Sequence, residues 1–194
     1  MSKPIRDLAF SMLTLSVVTL SAASCSKTPS AEVSATATDT LATAERGAYL
    51  ATIMGCGDCH TPGGMYGSPD FQRALSGSEV GWGGPWGVSY ARNITPDPVT
   101  GIGAWTEDQI VLTLQSGRRP DGTGLLPPMP WPTTAALKPR DIRSLAKYLK
   151  SIVPVKHEAP KALLPGQKAR TPVISLPEPG AWDRPAAAPA ATTP

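Results

Sequence analysis

The sequence predicts a small all-α domain: a few short helices joined by long loops, flanked by segments with no core of their own. Three segments combine apolar residues at helical spacing with start or stop signals. Between them, 22 prolines and 18 glycines in 194 residues break up longer regular structure, because proline cannot donate to a helix or sheet ladder. Nine of the prolines lie at or after Pro154, so the last fifth of the chain is expected to add little core. The net charge is +3, and between Glu45 and Val153 ten Lys and Arg face nine Asp and Glu. No concentrated basic stripe exists, which excludes a nucleic-acid-binding surface.

The N-terminus reads as an export signal over residues 1–24. Lys3 and Arg6 precede Leu8–Leu20, 13 largely apolar residues, too short to span a bilayer comfortably. Ala22-Ala23-Ser24-Cys25 resembles a lipobox, with Ala where Leu is commonest at its start. Cys25 is therefore expected to be lipidated, which would tether the protein to a membrane in the bacterial periplasm. An incidental free thiol is the alternative, and an exported unpaired thiol is a reactive liability. Residues 25–44 are rich in Ser, Thr and Ala and read as a flexible tether. Residues 154–194 read as a Pro/Ala-rich tail, disordered or extended, in which only His157 and Trp182 stand out, with no role assigned.

The remaining stretch, 45–153, is expected to form one domain. Its first helix runs from Arg46 to Met54, with Tyr49, Leu50 and Ile53 on one face. Gly81-Trp82-Gly83-Gly84-Pro85-Trp86-Gly87 lacks the Lys-Ser/Thr and the helix start of a phosphate loop, so it reads as a turn-rich loop. Thr106-Glu107-Asp108-Gln109 fits a capping box, opening a helix whose apolar residues are Ile110, Val111, Leu112 and Leu114 and which Gly117 ends. Pro139 starts the last helix from a first-turn position. There Ile142, Leu145, Ala146 and Leu149 repeat at helical spacing, with Tyr148 nearby.

Cys56-Gly57-Asp58-Cys59-His60 carries the chemistry. C-x-x-C-H is the attachment pattern of c-type haem: two thiols one turn apart reach the two vinyl groups of a porphyrin, and the adjoining imidazole meets the iron. A thioredoxin-type dithiol has no use for the histidine and normally follows a strand in a βαβ unit. Structural zinc wants four ligands, and the other Cys and His, Cys25 and His157, lie outside the domain. One covalent haem c would also fill a core that is otherwise thin for some 110 residues. The haem histidine should donate its second ring proton to a carbonyl, with Pro62 or Pro69 as candidates.

The sixth ligand follows by elimination. Met1 and Met12 leave with the signal, Met54 sits on the attachment segment, and Met65 follows His60 too closely. Met129 has enough chain to reach the opposite face, within the stiff run Leu126-Pro127-Pro128-Met129-Pro130-Trp131; the alternative is a core-filling methionine. A His/Met pair suits electron transfer and closes the iron to small ligands. Trp82 or Trp86 could wall the haem edge; simple surface packing is the alternative. Arg92, Asn93, Arg118 and Arg119 could serve the propionates, which need partners if buried; solvated charges are the alternative for at least two of them.

Gly47-Ala48-Tyr49-Leu50, Asn93-Ile94-Thr95-Pro96-Asp97, Thr100-Gly101-Ile102-Gly103 and Pro127-Pro128-Met129-Pro130 resemble class I c-type cytochromes. More narrowly, they resemble the cytochrome subunits of membrane-bound alcohol, gluconate and related dehydrogenases. The resemblance implies the class I cytochrome c fold, with first and last helices crossing closely; Gly47 would allow the approach, with Tyr49 and Tyr148 around it, the alternative being a mere weak spot in the first helix. Those subunits commonly carry three haem motifs, and this chain has one. The function expected is one-electron transfer from a periplasmic or membrane dehydrogenase to a downstream respiratory acceptor, an oxidase or another cytochrome. It requires no catalytic residues and no small-molecule substrate. The alternative is a haem enzyme or gas sensor with an open sixth position, which requires Met129 not to be a ligand. A fixed redox subunit inside a larger complex is a third reading.

Overall fold

Thr43 opens the first helix: its hydroxyl accepts from the Arg46 amide at 3.1 Å, and α1 runs over Ala44–Ile53. The computed structural model describes residues 42–177; the signal, most of the tether, Cys25 and Trp182 lie outside them. After α1 come a one-turn helix α2 (Cys56–His60), α3 (Glu107–Ser116), the short α4 (Trp131–Ala135) and α5 (Pro139–Ser151). The capping box at Thr106 and Gln109 is present, and Gly117 closes α3 at φ +69°. Ile142, Leu145, Ala146 and Leu149 are all buried on α5. With Ile110 and Leu114 of α3 they form the centre of the core, which Leu75, Ile102 and Ala51 complete.

α1 and α5 cross closely because Gly47 has no side chain. A Cβ there would lie 2.0 Å from the Ser144 carbonyl oxygen and 2.6 Å from the Tyr148 Cβ. The face α1 buries is Gly47, Leu50 and Ala51. Tyr49 and Ile53 stand out in solvent, 54% and 58% exposed, which corrects the expected Tyr49–Leu50–Ile53 face. The i, i+3, i+4 stripe is centred on the glycine, so Tyr49 falls beside it, where the Arg46 guanidinium stacks 5.4 Å from its ring centroid. Arg46 also pairs with Asp141 at 3.1 Å, joining the two helices at the crossing.

The all-α expectation needs correction. The Gly-Trp segment forms a hairpin, β1 (Gly81–Gly84) and β2 (Gly87–Tyr90), and β3 (Val173–Ser175) joins β1 in parallel, giving the order β2-β1-β3. Strand preference resides in side chains packed on a pleated surface, and here the neighbours supply them. A Cβ at Gly81 would meet Val88 at 2.6 Å and the Tyr90 ring at 3.0 Å, and one at Gly83 would meet Val173 at 3.0 Å. β1 can be a strand only because its glycines leave room for those side chains.

Residues 154–177 run extended and are bound to the body. Leu163 and Val88 exchange backbone hydrogen bonds at 2.8 and 2.9 Å, Ala159 is buried, and β3 closes the segment onto the sheet. Nearer α5, the Val155 and His157 amides and carbonyls are taken up instead by the side chains of Asn93, Thr95 and Thr100, so the backbone is satisfied there without a ladder.

Candidate haem site

α2 places Cys56, Cys59 and His60 within five residues, after Gly55 turns the chain at φ +66°. Both cysteines are free and half-buried. Burial pushes both thiols above their ordinary range; at Cys56 the charges of Asp58 and Cys59 add to it, at Cys59 that of Asp58. Both are thus thiols at neutral pH, the form in which S–H adds across a vinyl group. Burial holds the His60 imidazole below its usual value, with the bond to Arg92 pulling the other way. The ring is therefore neutral at neutral pH.

The His60 Nδ1 donates to the Arg92 carbonyl oxygen at 2.7 Å. A carbonyl can only accept, so the single proton sits on Nδ1 and the lone pair on Nε2, the atom a metal would take. Neither Pro62 nor Pro69 supplies this acceptor; the Pro62 carbonyl accepts from the Asp70 amide at 2.9 Å. A backbone carbonyl 32 residues away leaves no mark in the sequence, so no spacing rule points to it.

Met129 is half-buried and packs on the same core cluster as Cys56. Its loop is held from three directions. The Trp131 amide donates to the Met129 carbonyl at 2.9 Å. The Trp131 ring covers Gly117, where a Cβ would lie 2.7 Å from it. On the third side the Ser89 hydroxyl of β2 donates to the Pro127 carbonyl. The hairpin therefore borders the methionine loop. Within it Trp82 and Trp86 are half-buried, and the Trp86 indole donates to the Trp82 carbonyl at 3.2 Å; the Trp86 ring folds over Gly84 of its own turn.

The four candidate propionate partners separate clearly. Asn93 is buried and fully engaged within the protein, which corrects its assignment. Its Nδ2 donates to Thr100 Oγ1, Val155 O and His157 O at 2.9, 2.7 and 3.3 Å, and its Oδ1 accepts from the Thr95 amide and hydroxyl. The Arg118 side chain is exposed and donates to the Gly122 carbonyl at 3.3 Å. Arg119 is half-buried, with its Nη1 on Thr123 Oγ1 and Gly124 O, both at 3.1 Å. Burial and the like charge of Arg92 both weaken its hold on its proton, against Asp121. Arg92 and Arg119 thus form a pair of neighbouring cations, the second of them partly desolvated.

These residues fit a haem c: two thiols one turn apart, a neutral imidazole with its Nε2 lone pair free, and a methionine on a held loop, packed on the same core. Among the described residues no group of three or more His, Cys, Asp or Glu side chains could hold a bare metal ion. No family model matches the chain. It is 38% identical over 112 residues to the cytochrome c subunit of alcohol dehydrogenase (quinone) of Gluconobacter oxydans, covering 57% of this chain and 22% of that one. It is 38% identical over 121 residues to the fructose dehydrogenase cytochrome subunit of Gluconobacter japonicus, covering 62% of this chain and 24% of that one. The chain resembles dehydrogenase cytochrome c subunits. The gluconate 2-dehydrogenase cytochrome c subunit of Pantoea cypripedii is likewise similar, 33% identical over 112 residues, 57% of this chain and 24% of that one. The chain spans less than a quarter of the length of these three cytochrome relatives.

Proposed function

We propose that the chain is a one-electron carrier or electron-transfer subunit, built as a class I cytochrome c around one haem. Cys56 and Cys59 would hold the haem through thioethers, and His60 and Met129 would ligate its iron from opposite faces. When bound, the haem supplies a one-electron Fe(III)/Fe(II) couple, whose potential a methionine ligand raises. The protein's part is to hold both ligands still and keep other ligands out. His60 is fixed in one tautomer, and Met129 is held in a loop of prolines that the Trp131 ring on Gly117 and the Ser89 hydroxyl on the Pro127 carbonyl tie to the body. Arg92 and Arg119 are the residues best suited to a propionate, and Trp82 to the haem edge. By its likeness to cytochrome subunits, the donor is a dehydrogenase and the acceptor a further respiratory redox protein. Cys25, if lipidated, would keep the domain at a membrane in the periplasm.

The observation that carries this reading is the His60 Nδ1–Arg92 carbonyl bond behind a C-x-x-C-H turn, which presents Nε2 to a metal. Absorption spectra of the purified protein with and without carbon monoxide test it. Sharp reduced haem-c bands, a weak red band when oxidised and no response to CO are expected, and Met129→Ala should become high-spin and bind CO. CO binding by the unaltered protein would instead mean an open iron and a haem enzyme or sensor.

A further inference from the structure

His60 is gripped from both sides by backbone outside its own helix. Its carbonyl accepts from the Gly77 amide at 2.7 Å, and its ring donates to the Arg92 carbonyl at 2.7 Å. The two gripping segments are bonded to each other, Ser78 N donating to Ala91 O at 3.0 Å.

Behind both runs the extended segment that follows α5. The Asn93 amide, next to Arg92, donates to the Val155 and His157 carbonyls at 2.7 and 3.3 Å. In return Val155 N donates to Thr95 Oγ1 and His157 N to Thr100 Oγ1, each at 3.1 Å. The His157 ring turns to the other segment: Nδ1 donates to the Ser76 carbonyl at 2.8 Å, and Nε2 lies 2.9 Å from Glu79 Oε1. Ala159 presses on Gly77 itself, where a Cβ would lie 3.1 Å from the alanine methyl. Helix packing does not require this arrangement, since among the described residues none beyond Ile152 belongs to the hydrophobic core cluster or packs against it.

We propose that Val155–His157 form a strap that buckles together the two segments holding His60 and so tunes the haem iron from outside the haem pocket, with His157 as its positioning residue. The inference rests on His60 being the axial ligand. A firm bond from Nδ1 to a carbonyl makes the imidazole a stronger donor and favours the oxidised iron. Loosening the strap should therefore raise the reduction potential.

The test is a spectroelectrochemical titration of the haem-loaded full chain and three variants. His157→Ala should raise the potential. His157→Asn, whose Nδ2 stands where Nδ1 stood, restores the Ser76 bond and should return the potential to the wild-type value. His157→Gln reaches only toward Glu79 and should stay raised. Equal shifts for Asn and Gln, the signature of losing the imidazole regardless of the Ser76 bond, would overturn the strap, as would three unshifted potentials. If His157→Ala does not yield folded protein, Thr100→Val removes the hydroxyl that accepts from His157 N and from Asn93 Nδ2 and donates to Asp97; its potential should also rise, and an unchanged one sinks the proposal. A wild-type chain without thioether-bound haem, read from its pyridine haemochrome spectrum, would overturn the electron-carrier reading and the strap together. An unshifted potential on a loaded chain overturns the strap alone.

Discussion

At the residue scale, what the sequence offers toward the proposed site lies in side chains, and what it cannot offer lies in the backbone. Spacing proposes Cys56, Cys59 and His60, and elimination together with the flanking prolines proposes Met129. The acceptor for His60 is a carbonyl, which every residue has, so no residue type could announce Arg92. Asn93 misleads for a related reason: an amide beside an arginine looks like a ligand-binding group until its two donors and its acceptor are seen to be taken. Asp141 is a residue whose role titration can expose. It lies in the first turn of α5, where a negative charge is favoured, and the hydrogen bond from Arg46, then the Arg46 and Arg140 charges, hold its carboxyl below the usual range against the opposing effect of burial. A depressed folded pKa stabilises above the unfolded value of about 3.9 and is lost as pH falls through the folded one. Arg46 is 39% exposed, so screening limits the pair to about 1 kcal/mol. In urea titrations Asp141→Asn should be less stable by that order near neutrality, with the gap closing in acid. A gap that persists unchanged through the acid series would assign the effect to packing.

Helices and sheet differ in how much of each element the sequence reveals. α3 and α5 are legible because capping box, terminal glycine, N1 proline and apolar stripe all agree. α1 is legible as a helix, but its buried face is rotated from the expected one, because large apolar residues draw the eye where the fold uses a glycine. β1 is not legible at all: its glycines carry no strand signal, and the side chains that make it a strand come from β2 (Val88, Tyr90) and β3 (Val173). The α1–α5 crossing gives the sharpest test at this scale. The built Cβ at Gly47 falls 2.0 Å from backbone of Ser144, which cannot give way as the end of a flexible side chain could. Gly47→Ala should gain roughly 0.5–1 kcal/mol of helix propensity and lose more to overpacking, typically about 1–3 kcal/mol. The net is destabilisation, read as a lower denaturant midpoint in haem-loaded protein. A stabilised variant would show that the helices can part without cost.

For the whole molecule, the question is where the folded body ends. Composition puts the boundary at Val153, since proline-rich sequence builds no core; among the described residues Ile152 is the last that packs against the core cluster. Hydrogen bonding continues past it. The segment after α5 supplies carbonyls to Asn93, an antiparallel bridge to Val88 and a third strand to the sheet. A chain cut after Val153 would leave the buried Asn93 amide with Thr100 as its remaining acceptor, bare the edge of β1 and uncover Gly77. Each buried polar group left without a partner costs about 1–3 kcal/mol. The truncated, haem-loaded protein should therefore unfold at a clearly lower guanidinium concentration, by about 2–5 kcal/mol in all. The loss should be local in origin: hydrogen exchange should quicken first at 76–78 and 91–95, the segments around His60, while α3 and α5 keep their protection until global unfolding. If instead the midpoint and the exchange at those segments match the full chain, the boundary read from composition is the true one, and residues 154–177 rest on the domain without holding it.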